Sequence, residues 1–273
     1  MIPACKVLRK RIRNADGEIL RGDLHTTPGS TELVVVCHGF GKTWNKNRPL
    51  FRSICAAFQA GGVNAFRFSF SGLSPSGGDA ENSSYSKQKS DLAAVIAYFA
   101  LKLKPQTVSV VAHSFGSVAA ILQSASDKRI RQLLLVAPRL EPRKSIITKT
   151  IEEHRGKKLD QIIESGAESF PVGPIVIGGI EYRFSRKYVE DLVQTDVLAT
   201  MAKIEIPITI IRGSNDKRIS EEEMLDAVKR NPLVSYVRLA DAGHSFGSQA
   251  QRRSLCDALL RAYNPHTLEN PPP

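Results

Sequence analysis

The segment VVAHSFGSVAA, Val110 to Ala120, sets one serine in a four-residue turn between an apolar run and a run of small residues. A strand that enters a helix through so short a turn strains its middle residue. It projects that side chain at the carboxyl end of a sheet, where ligand sites of open α/β sheets gather. The N-terminus of the following helix favours negative charge there. Ala112 and Gly116, two positions either side of Ser114, are small enough for strand and helix backbones to approach. This is the G-x-S-x-G turn with Ala in place of the first Gly.

A serine by itself is a weak nucleophile at neutral pH and needs a base, which in turn needs an orienting carboxylate. Asp216, in IIRGSNDKRIS, and His244, in LADAGHSFGS, each follow an apolar run and complete the chain order Ser, Asp, His. Asp241 and Asp196 are rival acids. Asp241 stands three residues before His244 and would have to fold back along its own loop, so Asp216 is preferred. Acyl transfer also builds negative charge on a carbonyl oxygen. The backbone N–H groups of Phe115 and of Phe40, in His38-Gly39-Phe40-Gly41, are the expected donors. Singly, each residue has a plain structural reading: Asp216 as a helix cap, His244 as a loop histidine, HGFG as a turn. Together they point to nucleophilic acyl chemistry.

Those residues need a scaffold. Six short runs rich in Val and Ile (LVVVCH, VNAFRFSF, TVSVVAH, QLLLVAP, IPITIIRG, VSYVRLAD) alternate with the helix-patterned RPLFRSICAAFQAGG, YSKQKSDLAAVIAYFALKLK, GSVAAILQSAS and SEEEMLDAVKRN. Apolar strands alternating with amphipathic helices predict a parallel sheet covered on both faces. KVLRKRIR and EILRGDLHTT, either side of NADG, read as an N-terminal hairpin and bring the strand count to eight. From about Arg139 to Lys203 the alternation breaks. Helix-like pieces (KSIITKTIEEH, KLDQIIESG, KYVEDLVQ) surround the Gly/Pro-rich PVGPIVIGGIEYRFS. This segment is expected to lie over the sheet's carboxyl end as a cap, with Phe170, Tyr182 and Phe184 as candidate substrate-binding residues. The expected organisation is a core of 1–138 and 204–265, a cap of 139–203 and a tail of 266–273.

The 273 residues suffice for one large α/β domain, with 42% hydrophobic and 24% charged residues. The formal net charge of +11 raises a nucleic-acid partner. The excess is spread thinly, since Arg139 to Asp191 mixes ten Lys/Arg with nine Asp/Glu. No zinc-finger, RNP1-like or recognition-helix pattern is present, so nucleic acid is not expected as a partner. The interval Leu33 to Gly78 has no acid. Its Lys42, Lys46 and Arg48 follow the HGFG loop, where a positive rim would favour anionic esters. No apolar run approaches the ~20 residues of a membrane span. Cys5, Cys37, Cys55 and Cys256 have no metal-ligand spacing. The expectation is therefore a cytoplasmic protein without metal or other cofactor.

HGF, RFSFSGLSPSGG, SDLAAVIAYF, AHSFGS, LLLVAP, IRGSNDKRIS and AGHSF fall where the α/β-hydrolase fold family has its recurrent segments. The chain resembles the serine-hydrolase branch of that family: esterases, lipases and serine aminopeptidase-like enzymes. The HGF loop and the segment ending GGIEYRFSRKYVEDL look most like cinnamoyl/feruloyl-type esterases. It departs from the branch at Ala112, at Ser117 (often Gly) and in the loose SFSGLSPSGG turn. The resemblance implies an α/β-hydrolase fold, with an eight-stranded, mostly parallel sheet, helices on both faces and a small cap. It implies a catalytic triad of Ser114, Asp216 and His244, with Phe40 and Phe115 at the oxyanion hole. The activity implied is hydrolysis of small to medium carboxylic esters. Alternatives on the same triad are a peptidase or amidase and a lysophospholipase or monoacylglycerol-type lipase. A non-catalytic binding protein retaining the fold is a further alternative. The expected partner is a small-molecule ester, with a homodimer left open.

Overall fold

The computed structural model describes residues 5–41, 49–177 and 179–263. The rim candidates Lys42, Lys46 and Arg48, and the tail 266–273, lie outside the described residues. The chain opens with antiparallel β1 (Lys6–Arg13) and β2 (Ile19–Thr26). Asn14 holds the turn between them, its Oδ1 accepting from the N–H groups of Asp16 and Glu18. Gly17 supplies the φ of 80° that the turn requires. There follow β3 (Glu32–Cys37), α1 (Pro49–Ala60), β4 (Asn64–Phe68), α2 (Tyr85–Lys102), β5 (Thr107–His113), α3 (Gly116–Ser124) and β6 (Ile130–Val136). A second alternation closes the chain: β9 (Ile208–Gly213), α8 (Glu221–Arg230), β10 (Val234–Leu239) and α9 (Gln249–Ala262).

Between β6 and β9 lie α4 (Ile146–Arg155), α5 (Leu159–Glu164), β7 (Val172–Ile177), β8 (Ile180–Phe184), α6 (Arg186–Gln194) and α7 (Val197–Met201). The Gly/Pro-rich stretch of the sequence is thus an antiparallel hairpin, β7–β8, that joins no strand of the main sheet.

The eight-stranded sheet runs β1-β2-β4-β3-β5-β6-β9-β10. From β4 to β10 every pairing is parallel, and only β1–β2 and β2–β4 are antiparallel. The period-2 rule of strands explains why the central runs are continuously apolar. Leu33, Val35, Cys37, Val110, Ala112, Leu133 and Leu135 face α2, α3 and the 139–203 segment. Val34, Val36, Val111, Leu134, Val136 and Ile211 face α1 and α9 on the other side. The sequence reading names four crossover helices, and the structure adds α9. Ser248 caps it by accepting from the Gln251 N–H, and Leu255, Cys256, Ala258 and Leu259 bury its inner face.

A buried carboxylate ties the sheet's edge to α2. Asp91 accepts from Asn14 Nδ2, the Ser71 N–H and the Ser71 hydroxyl, each at 2.7 Å. Burial pushes its carboxyl above the ordinary value despite these donors.

Candidate active site

Parallel β3, β5, β9 and β10 all end on the same edge of the sheet, so the loops that follow them meet there. Ser114 is the residue after β5 and has φ 54°, a left-handed conformation that costs a non-glycine residue about 1–3 kcal/mol. The surrounding bonds hold it in place. Its N–H donates to the Val136 carbonyl at 3.0 Å. Its carbonyl accepts from the N–H groups of Ser117 and Arg139 and from the Ser117 hydroxyl at 2.6 Å. The Ser117 hydroxyl in turn accepts from the Arg139 N–H at 3.1 Å. A serine at position 117 therefore clamps the turn that it follows, a contact that glycine could not make.

The Ser114 hydroxyl faces His244 Nε2 at 3.1 Å, and His244 Nδ1 faces the Asp216 carboxylate at 2.8 Å. With a carboxylate opposite Nδ1, that nitrogen carries the proton and Nε2 accepts from the serine. Asp216 Oδ1 accepts from the N–H groups of Arg218 and Ile219 at 2.8 and 3.1 Å. Burial alone would raise the Asp216 carboxyl. The His244 hydrogen bond and charge, with the two N–H donors, outweigh it and hold the group below its ordinary value. The two rival acids lie elsewhere. Asp196 caps α7 by accepting from the Ala199 N–H at 2.9 Å, and Asp241 is an exposed loop residue with φ 53°.

The pentapeptide HSFGS occurs twice, at 113–117 and at 244–248. The two copies converge. His113 Nε2 donates to the carbonyl of His244 at 2.9 Å, and the imidazole centroids are 5.1 Å apart. In the first copy the serine takes the positive φ, and in the second the phenylalanine does (Phe246, φ 47°). Only Ser114 meets an imidazole held by a carboxylate.

Among the described residues, the backbone N–H groups of Phe40 and Phe115 donate to no protein acceptor. They flank Ser114 because β3 and β5 are neighbours and glycine lets their loops touch. A Cβ at Gly39 would stand 3.0 Å from that of Ser114. One at Gly116 would fall inside contact distance of the His38 carbonyl. Buried His38 braces this loop, its Nε2 accepting from the Phe70 N–H at 3.1 Å.

Ser114, Phe115, His244 and Phe40 open onto a cavity of about 1210 Å³. Its apolar wall comes from Leu50 and Phe51 of α1, Ile146 and Ile147 of α4, and Ile177, Ile180 and Tyr182 of the β7–β8 hairpin. Of the three candidates in the 139–203 segment, Tyr182 lines the cavity and packs against Phe40 with the rings tilted by 36° and their centroids 4.7 Å apart. Phe170 and Phe184 do not line it. Phe184 is buried behind Phe40 and against Tyr188, at 6.2 and 4.9 Å, and Phe170 lies under the Arg186 guanidinium. A strand's alternation points Tyr182 and Phe184 to the same side, and the bulk of Phe40 stands between Phe184 and the cavity.

Sequence reasoning passes over the cations of the cavity wall: Arg139, Lys144, Lys149, Lys217, Arg218 and Arg252. No Asp or Glu lines it among the described residues. Nor is any group of three or more His, Cys, Asp or Glu there placed to hold a metal ion. No described helix is long and apolar enough to cross a membrane.

The family model described as serine aminopeptidase, S33, matches residues 29–246. A search of the curated proteins returns no match. Among solved structures, a presumed hydrolase from Agrobacterium vitis S4 superposes with a TM-score of 0.76 at 17% identity, over 96% of this chain and 100% of that one. Est1E from Butyrivibrio proteoclasticus, solved with ferulic acid bound, gives 0.72 at 18% identity, over 92% and 98%. The Pyrococcus furiosus esterase Pf2001 gives 0.67 at 20% identity, over 94% and 89%. At these identities the likeness is one of fold: the eight-stranded sheet and its helices are the α/β-hydrolase fold.

Proposed function

The chain belongs to the serine aminopeptidase, S33, family of α/β-hydrolases, and on that premise we propose that it hydrolyses small to medium carboxylic esters through an acyl-enzyme. One observation carries the reading: the buried line Ser114–His244–Asp216, at 3.1 and 2.8 Å, beside two unengaged backbone donors. Ser114 Oγ attacks the ester carbonyl as its proton passes to His244 Nε2. The carbonyl oxygen gains the negative charge and meets the N–H groups of Phe40 and Phe115. The N-terminus of α3 brings the positive end of the helix dipole to the same point. As the tetrahedral intermediate collapses, His244 Nε2 gives its proton to the departing alkoxide, leaving the acyl group on Ser114. Water then repeats the sequence on the acyl-enzyme, with His244 again taking and returning the proton. Asp216 stays ionised throughout, holding Nδ1 protonated and stabilising the transient imidazolium.

The segment 139–203 acts in this scheme as a cap. Ile146, Ile147 and Lys149 of α4 and Ile177, Ile180 and Tyr182 of the hairpin support that role by facing the cavity. A partly covered site of this size suits small and medium esters. An aminopeptidase has to hold a substrate ammonium, and no carboxylate among the described lining residues offers to do so. Feruloyl-type esters come within the proposal through the fold shared with Est1E. Three buried, unpaired thiols, Cys37, Cys55 and Cys256, fit a reducing compartment such as the cytoplasm.

Two assays test the reading: labelling by a fluorophosphonate probe and hydrolysis of p-nitrophenyl acetate. Both are expected of the wild type and absent in Ser114→Ala, with an unchanged circular dichroism spectrum. Equal turnover in that variant would put the chemistry elsewhere. A wild type that neither labels nor turns over would leave a fold without the activity.

A further inference from the structure

The cavity's six cations fall into two groups. Arg139, Lys144 and Lys149 already face carboxylates outside the lining: Glu223 at 3.5 Å, Glu141 at 2.6 Å and Glu153 at 3.7 Å. Lys217, Arg218 and Arg252 have no ion-pair partner among the described residues. Lys217 and Arg218 are exposed, and Arg252 is half-buried with its guanidinium donating to the carbonyls of Phe246 and Gly247. All three line the cavity and belong to the segments that carry Asp216 and follow His244. Lys217 and Arg218 directly follow Asp216, and Arg252 lies in the first turn of the helix that follows His244. Three like charges lining a cavity without a counter-charge set up a positive potential there, which draws anions to it. Here the lining supplies no Asp or Glu to relieve them.

Their side of the cavity is fixed by the chemistry. A leaving alkoxide takes its proton from His244 Nε2, so the alcohol portion of the substrate must lie against the wall that His244 and its neighbours build. The apolar and aromatic wall (Phe40, Tyr182, Ile177, Ile180) is left to the acyl portion. Resting on the esterase reading above, we propose that the substrate is an ester whose alcohol portion carries an anion, a carboxylate or phosphate, received by Lys217, Arg218 and Arg252. The assignment is independent of the acid-free interval at Lys42, which lies outside the described residues.

The test uses butyrate esters of three phenols alike but for the para group: a neutral carboxamide, a carboxylate and a phosphonate. The two charged esters distinguish which anion the site takes. At low salt the better charged ester is expected to exceed the neutral one in kcat/KM by about tenfold, the scale of a few solvent-exposed ion pairs. The ratio should fall toward one as the Debye length shrinks from ~10 Å at 0.1 M salt to ~3 Å at 1 M. It should also fall in the triple variant Lys217→Gln/Arg218→Gln/Arg252→Gln, and persist in the charge-conserving Lys217→Arg/Arg218→Lys/Arg252→Lys. The salt series on the wild type decides the matter should the glutamine variant not fold. A ratio near one that ignores both salt and substitution overturns the inference while leaving an esterase. Absence of turnover of all three esters, with no fluorophosphonate labelling, removes the esterase reading and this inference with it.

Discussion

Gly116→Ala tests the close approach on which the site depends. Gly116 opens α3 with an ordinary negative φ, so an alanine there suffers no backbone strain, and its whole effect is steric. The added Cβ would overlap the His38 carbonyl oxygen and lie 3.0 Å from its carbon and 3.3 Å from the carbonyl carbon of Cys37. These are backbone atoms at the end of a central strand and cannot rotate away. The helix start and the His38–Gly39 loop must therefore part by roughly 1 Å to restore ordinary contact. Overpacking of this kind costs about 1–3 kcal/mol, which for a chain of this length is a melting temperature lower by about 2–5 °C. The same parting separates the Phe40 and Phe115 N–H groups, the oxyanion donors of the proposed reaction. Misplacing a donor by that distance costs about 10²-fold in turnover. The loss should fall on kcat rather than KM, because the donors act on charge that exists only during reaction. Gly247→Ala supplies the control. It is the same position in the second HSFGS, yet a Cβ there meets nothing within 4 Å, so its melting temperature should match wild type. The assays are calorimetry and initial rates on p-nitrophenyl acetate. A Gly116→Ala protein with wild-type kcat and melting temperature, or equal losses in both glycine variants, would refute the reasoning.

Asp216→Asn should lower kcat by about four orders of magnitude through loss of the imidazole's orientation, whereas Asp241→Asn should leave it near wild type; steady-state kinetics on both variants checks the ranking. The same carboxyl gives a pH signature. Its folded-state value lies below the unfolded 3.8, so its contribution to stability is present above that value and lost as the pH falls through the folded one. Urea unfolding should show the gap between wild type and Asp216→Asn narrowing below about pH 4, and a gap constant with pH would contradict the assignment. Gly41→Ala should disturb the β7–β8 hairpin as well as the loop, because Gly41 has φ 59° and a Cβ there would collide with the Tyr182 hydroxyl. Limited proteolysis within 172–184 faster than in wild type is the expected readout. Ser117→Ala removes the hydroxyl that bridges Ser114 and Arg139 and should cost about 1 kcal/mol or more, read from chemical unfolding.

The strand order's raw material, the serine turn and the chain order Ser, Asp, His were all legible in the sequence, because each rests on local rules. Parallel strands buried on both faces must be continuously apolar, and a tight strand-to-helix turn must be flanked by small residues. Ser248 and the spacing of Leu255, Cys256, Ala258 and Leu259 mark the last helix by the same local rules. Other features depend on residues far apart in the chain. Nothing local distinguishes HSFGS at 113 from HSFGS at 244, and it is the meeting of their loops at one sheet edge that gives Ser114 an imidazole backed by Asp216. Whether Tyr182 or Phe184 reaches the cavity depends on where Phe40 stands, a residue 142 and 144 positions earlier. The cations of the wall come from the segments that follow β6 and β9, from α4 and from the start of α9, and no short window of sequence contains them together. Hydrophobic period and turn chemistry act over a few residues and fix the elements. Convergence of loops is a property of the assembled sheet, and the site's electrostatics exist only once the sheet has brought those loops to one edge.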